Sequence, residues 1–403
     1  MIDYIEILNL PVTVDMLLSN PWLEFSHSDI AVQTGEELDR KQHAIYNTLV
    51  FTVRKRNEVK KLKGSLHHYH NKRKVNFNDL TPIDIARVVI DLSEKFQIDP
   101  FRTVLNNVEF GVNLITDQIP KTILQDIIRH NGAPFRYIDK GLGKDCKHNQ
   151  YRIKIYDKGL HNERPENILR IEIHVDVMEY LQSKKIPLKT LGDLFNPELY
   201  PILGQNLIDR VSEILFYDST IDTGNLSENE QIILSNGRNP DFWDTCRDKS
   251  ANDTYLRRYK RTLDKHLIVN WKEILLVLIR EKVSSLLTLE KSQRDVLTQI
   301  YQTKNFNLDI NRLTPCDTIV NISYGVKNEI SGQRVCLSCG QDISHQNTRS
   351  KFCSAKYVGE RVAHRCRNKN SNPINYLRRR LRIEQSELTL FDTRPYFINL
   401  EPI

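Results

Sequence analysis

The sequence predicts an α+β fold: an antiparallel sheet with helices on one face, followed by a helical region and a small zinc-binding module. Three observations carry this expectation. Several segments in the first two hundred residues alternate apolar and polar side chains, as in "RIKIY" (152–156), "ILRIEIHVD" (168–176) and "VLNNVEFGVNL" (104–114). That is the period of a strand with one packed face. Two segments among them, 83–96 and 119–130, carry apolar stripes at helical spacing, so a sheet with a few interposed helices is expected. Past about residue 203 the pattern turns helical, and four of the seven cysteines fall between 336 and 366.

Taken in order, strands are expected at 3–10, 48–55, 58–69, 104–114, 149–157 and 168–175, the second and third forming a hairpin that turns near Arg56-Asn57. The helix at 83–96 places Ile85, Val88, Val89 and Leu92 on one stripe, and Thr81-Pro82 supplies its start signal. The helix at 119–130 does the same with Ile123, Leu124 and Ile127. A sheet packed on one side leaves its other face free for a ligand. Farther on, "NLIDRVSEILFY" (206–217) and "NWKEILLVLIREKVSSLL" (270–287) are amphipathic, and "YLRRYKRTLDKHL" (255–267) is helical and basic. Residues 302–331 are loop-rich. The expected organisation is 1–217, a sheet domain; 218–330, a helical region; 331–370, a zinc-binding module; and 371–403, a basic and polar tail.

With 403 residues the chain is too long for one ordinary core. Its longest apolar run, Ile274 to Ile279, is too short to cross a bilayer, so no membrane partner is expected. The start, "MIDYIEILNL", lacks the basic region of a signal peptide and reads as a strand, which places the protein in the cytoplasm. In that reducing compartment a cysteine cluster points to metal before disulfide. The net charge of +7 is uneven. Between Arg334 and Arg382 twelve Lys and Arg face two acids, Asp342 and Glu360, so this segment carries +10 and the rest of the chain −3. Such a patch implies a polyanionic partner, nucleic acid above all.

The alternating strands put chemistry on their polar faces. One carries Arg170, Glu172, His174 and Asp176, another Asn107, Glu109 and Asn113, and a third Arg152, Lys154 and Tyr156, with Lys158 just beyond. Singly, each reads as a solvated surface residue. If the strands pair in one sheet, two carboxylates and a phenol lie within several ångströms of one another. Glu109, Glu172 and the His174 imidazole then suit a hard divalent cation, Mg²⁺ or Mn²⁺. A metal on a phosphate beside Tyr156 suits attack of the phenolate on phosphorus, with Lys158 favouring the ionised phenol.

The segments "MIDYIEILNLP", "GSLHHY" (64–69), "NVEFGVNL" (107–114), "KIYDKG" (154–159) and "NILRIEI" (167–173) followed by "MEYLQSKKIPLKTLGDL" (178–194) resemble the gene II-like replication initiator of filamentous phages and its relatives, which are rolling-circle nickases. The resemblance covers roughly residues 1–217, in order along the chain, and its most specific parts are the Tyr-x-Lys element and the Arg-apolar-Glu strand. It implies a nickase or RRM-like core, Tyr156 as nucleophile, Lys158 as its electrostatic helper, and Glu109 and Glu172 as acidic metal ligands. It implies single-stranded and duplex origin DNA as partners. Because the chain has no G-x-x-x-x-G-K phosphate loop, a host helicase is expected besides a host polymerase. His68-Tyr69-His70 has the spacing a related nickase class uses for metal, but at the end of a strand it reads as a loop or structural element.

Cys336, Cys339, Cys353 and Cys366 have the spacing of a structural Zn²⁺ site, with His364 as an alternative to Cys366 and His345 nearby. Arg361, Arg365, Arg367, Lys369, Arg378, Arg379 and Arg380 surround it and would grip DNA phosphates. The resemblance does not reach this module. The expected function is a rolling-circle DNA replication initiator, a site-specific single-strand endonuclease and ligase acting through a phosphotyrosine intermediate. The alternatives are a mobilisation relaxase with the same chemistry and a non-catalytic zinc-containing DNA-binding regulator.

Overall fold

The computed structural model describes residues 1–25, 41–72, 76–245, 249–305, 345–346, 353–358 and 363. The chain divides into two units, Met1–Pro315 and Cys316–Ile403. The first is built on strands β1 (Ile2–Ile7), β2 (Gln42–Tyr46), β3 (Leu49–Arg54), β4 (Val59–Ser65), β5 (Asn107–Ile115), β6 (Ile127–His130), β7 (Ala133–Pro134), β8 (Arg136–Ile138), β9 (Gly143–Lys147), β10 (Tyr151–Asp157), β11 (Ile168–Val175) and β12 (Ile214–Phe216). Nine of these form one sheet in the order β2-β3-β4-β1-β5-β11-β10-β9-β8, and three form a small sheet, β12-β6-β7. Neighbours in the large sheet are antiparallel. The fold is α+β, as the alternating segments predict.

Helix Pro82–Phe96 begins where Thr81 and Asp84 cap each other's backbone groups, with Pro82 in the first turn, and it ends at Gln97 in the left-handed conformation. Its apolar stripe joins one core with Ile5, Val108, Phe110, Ile155, Leu169 and Ile171 of the sheet. The helices Leu199–Ser212, Trp271–Leu286 and Lys291–Thr303 add Leu203, Leu207, Leu275, Ile279, Leu297 and Ile300 to that same core. Each such side chain contributes roughly 1.5–3 kcal/mol when fully buried. Residues beyond 217 therefore complete the packing of the sheet. No described helix is long and apolar enough to cross a membrane.

Three element expectations are corrected. The strand expected over 58–69 stops at Ser65, whose hydroxyl accepts from the amide of His68 and caps a short helix, Leu66–His70. His68 and His70 therefore lie on a helix, where residues two apart do not share a face. The helix expected over 119–130 runs only Pro120–Asp126 and continues as β6, because Ile127, Arg129 and His130 pair with β12 in the small sheet. "NLIDRVSEILFY" likewise ends as β12. The short strands β2, β8 and β9 carry too few apolar residues to announce themselves.

β5 and β11 approach closely at Gly111, which stands opposite Glu172. A Cβ there would lie 2.2 Å from the carbonyl oxygen of Ile171 and 2.6 Å from Cα of Glu172. Gly111→Ala must push the two strands apart. The expected outcome is a loss of about 1–3 kcal/mol, on the scale of overpacking a filled core, read as a lower thermal melting temperature. An unchanged melting curve would mean that the strands are not held this tightly.

Candidate active site

The pairing register lays the polar face out as rows. Tyr4, Glu109, His174 and Arg152 stand side by side across β1, β5, β11 and β10. The next row is Gly111, Glu172, Lys154 and Asp145, and the next is Asn113, Arg170, Tyr156 and Gly143. Glu109, Glu172 and Tyr156, singled out on separate strands, are thus brought together.

A third carboxylate joins them. Strict alternation in β1 would put Asp3 on the core face with Ile5 and Ile7. The register shifts between Ile2 and Tyr4, however, and this irregularity turns Asp3 to the polar side. Carboxylate oxygens of Asp3, Glu109 and Glu172 all lie within 4.8 Å of one another, and all three residues are buried. Asp3 accepts from the hydroxyl of Ser65 and from Nδ2 of Asn76 at 3.2 Å.

Cations balance the cluster. Lys154 Nζ lies 2.8 Å from Glu109 Oε2 and 3.3 Å from Glu172 Oε1. Arg170 Nε donates to Glu172 Oε2 at 2.9 Å, and its Nη2 lies 3.6 Å from Asp3 Oδ2. His174 stands beside the cluster rather than in it: its Nδ1 is 2.9 Å from Glu109 Oε2 and its Nε2 is 3.3 Å from Asp176 Oδ1. The Tyr156 hydroxyl donates to Glu172 Oε2 at 3.4 Å. Lys158 does not continue the strand. It opens the short helix Lys158–His161, capped by the Asp157 carboxylate, and its buried Nζ lies 5.6 Å from the centre of the Tyr156 ring.

These surroundings drive the ionisable groups apart. Burial opposes ionisation of Glu109, but the hydrogen bond from His174 and the Lys154 ammonium outweigh it and hold the carboxyl below its ordinary range. Burial and repulsion from Glu109 push Glu172 up to about 7, against Arg170 and Lys154. Burial and the adjacent Arg170 lower Lys158 to about 8. Burial and the Glu172 carboxylate push the Tyr156 phenol well above its ordinary range. Two neighbouring carboxyls are thus driven apart in ionisation, Glu109 held charged and Glu172 pushed up to about 7.

The face is not the open, wet surface that alternation suggests. Asn113 donates to the carbonyls of Phe77 and Asn78, so this segment roofs one side, and Glu172 is 2% exposed. On β10, Lys154 and Tyr156 remain half-buried. The all-oxygen donor set fits a hard divalent cation, and an entering ion would displace the Lys154 ammonium from between Glu109 and Glu172. Of the other site residues singled out, Cys336, Cys339, Cys366, Arg361, Arg365, Arg367, Lys369, Arg378, Arg379 and Arg380 lie outside the described residues; Cys353 is described and buried.

No protein-family model matches the chain, and no curated protein does. Among solved structures it is similar to a rolling circle replication initiator protein from Geobacillus stearothermophilus, with 10% identity and a TM-score of 0.33 over 59% of this chain and 96% of that one. A likeness of this degree fixes neither the fold nor the function of this chain.

The two glutamates predict opposite linkage to pH. The folded-state value of Glu109 is depressed, so its contribution is present above the ordinary value of 4.5 and is lost as pH falls. That of Glu172 is raised, so its contribution is present below 4.5 and is lost as pH rises through about 7. Melting temperatures measured from pH 3 to 8 should therefore show the wild-type advantage over Glu109→Gln shrinking toward acid. The advantage over Glu172→Gln should shrink toward pH 8. Parallel curves for both variants would contradict this assignment.

Proposed function

We propose that this chain is a DNA-nicking enzyme of the rolling-circle replication initiator type, with Tyr156 as its nucleophile. The observation that carries the reading is the Tyr156 hydroxyl at 3.4 Å from Glu172, inside a buried cluster of three carboxylates on one sheet. A phenol held against a carboxylate near neutrality has a proton acceptor at hand. In the proposed step the hydroxyl passes its proton to Glu172 Oε2 and its oxygen attacks a backbone phosphorus. The Tyr156 O–P bond forms and the bond from phosphorus to the 3′ oxygen breaks. Lys158, lowered to about 8, is an acid beside the Tyr156 ring able to give the departing oxygen its proton. The products are a 5′-phosphotyrosyl strand and a free 3′ hydroxyl, a primer end for a host polymerase working with a host helicase. Asp3, Glu109 and Glu172 would hold Mg²⁺ or Mn²⁺, which would supply charge neutralisation and polarisation of the phosphate. His174 holds Glu109 in place from behind.

The test is incubation of end-labelled single-stranded DNA carrying the site with the protein and Mg²⁺ or Mn²⁺, read by denaturing electrophoresis. Tyr156→Phe should abolish both nicking and the covalent adduct, while Glu172→Gln should slow nicking about 10²–10⁴-fold, the scale of a lost general base. Nicking by the Phe variant at the wild-type rate would remove the proposal.

The second unit is assigned DNA grip in this reading, through its arginines and a Zn²⁺ held by Cys336, Cys339, Cys353 and Cys366. A chain ending at Pro315, the limit of the first unit, should still nick single strands but bind duplex DNA more weakly. The shallower salt dependence expected is about 0.9 in log–log slope per lost phosphate contact. Unchanged duplex affinity and slope would assign the second unit another role.

A further inference from the structure

A second cluster of metal-ligating side chains lies in the first unit and shares no residue with the carboxylate site. His130 ends β6 in the small sheet, Cys146 lies in β9 of the large sheet, and His148 follows β9. Cys146 and His148 are two apart along an extended segment. Their side chains reach the same point as His130: the three ligand atoms all lie within 4.8 Å of one another. His130 Nδ1 is 2.8 Å from His148 Nε2, and Cys146 Sγ is 3.5 Å from that same nitrogen. A tetrahedral zinc ion with ordinary Zn–N and Zn–S lengths needs edges of about 3.3 and 3.6 Å; the Cys146–His148 edge already fits, and the His130–His148 edge must open by about half an ångström.

The surroundings hold His130 in ligating form. His130 Nε2 is 2.9 Å from the Glu213 carboxylate, which also accepts from Nδ2 of Asn131 at 2.8 Å. Glu213 therefore takes the Nε2 proton of His130 as a hydrogen bond and leaves Nδ1 with a bare lone pair aimed at the cluster. A carboxylate behind an imidazole is the arrangement that sets tautomer and basicity in metal-bound histidines. Tyr151 stacks on the His148 ring at 4.7 Å between centroids and 19° between planes, which holds its orientation. His130 and Cys146 are fully buried. His148 is half-buried and lines a cleft of about 770 Å³, with Arg136 and Asp145 on its walls, which gives an ion its way in.

We propose that His130, Cys146 and His148 form a zinc-type metal site that fastens the small sheet to β9 of the large one. Two imidazoles and a thiolate select a borderline ion such as Zn²⁺ or Co²⁺ over Mg²⁺, the reverse of the all-oxygen cluster around Glu172. Three protein ligands leave the fourth position to water. Binding displaces the Cys146 thiol proton into solvent, moves the proton that His148 Nε2 shares with His130 Nδ1 to Nδ1 of His148, and so replaces the His148–His130 hydrogen bond with two metal–nitrogen bonds.

The test uses the full chain, stripped of metal with a chelator, dialysed against Zn²⁺ or Co²⁺ and analysed for metal per chain. Because the second unit's cysteines also take up these ions in the reading above, the informative quantity is the difference between wild type and variants. Cys146→Ser and His148→Gln should each bind one equivalent fewer than wild type. The cobalt-loaded protein should lose part of its thiolate-to-cobalt charge-transfer absorption in Cys146→Ser, and adding Zn²⁺ to stripped protein should raise the melting temperature more in wild type than in either variant. Should Cys146→Ser fail to fold, the half-buried His148→Gln decides alone. Equal metal content in wild type and His148→Gln, with equal melting shifts, would overturn the proposal.

Discussion

Three carboxylates held within 4.8 Å of one another and out of water are the constraint around which this sheet is arranged. Each like-charge pair at that separation costs about 3 kcal/mol at an effective dielectric of 20. Three such pairs total roughly 10 kcal/mol, comparable with the whole stability of an ordinary domain. The cluster persists because Lys154 stands in the row of Glu172 and Arg170 in the next, because His174 binds Glu109 and Ser65 binds Asp3, and because Glu172 is pushed up to about 7. Removing one cation from such a set is more damaging than removing a surface ion pair, since the charge left behind stays buried.

The same constraint explains the backbone around it. The shift in β1 brings Asp3 to the polar side, Gly111 lets β5 close onto β11 beneath Glu172, and Gly143 stands opposite Tyr156. The tyrosine is consequently held where its hydroxyl meets Glu172, whose carboxyl is pushed up to about 7. A phenol pushed up by burial is a poor nucleophile by itself, so the proposed chemistry depends on a divalent cation that would offset the negative charge of the carboxylates and of the entering phosphate.

Much of this was legible in the sequence. The alternation in "ILRIEIHVD" and "VLNNVEFGVNL" placed Glu172 and Glu109 on polar faces, and the register put those faces side by side. Asp3 was not legible, because a bulge breaks the very periodicity from which its direction would be read. The burial of the site was not legible either: alternation reports which side a residue takes, not what long-range segment, here Phe77 and Asn78, covers that side. The ends of helices misled for a related reason. Apolar β-branched residues such as Ile127 and Ile128 suit a helix or a strand, and the pairing of β6 with β12, distant in sequence, decided for the strand. His130 was hidden with them, and so was the convergence of His130, Cys146 and His148.

The central claim is that Tyr156 itself becomes joined to DNA. Tryptic digestion of a nuclease-trimmed protein–DNA adduct tests it most directly, because cleavage after Lys154 and Lys158 isolates Ile155-Tyr156-Asp157-Lys158. The account predicts that mass spectrometry finds the nucleotide phosphate on Tyr156 of this peptide. An adduct carried by any other residue, or an unmodified peptide in a sample that contains adduct, would contradict it.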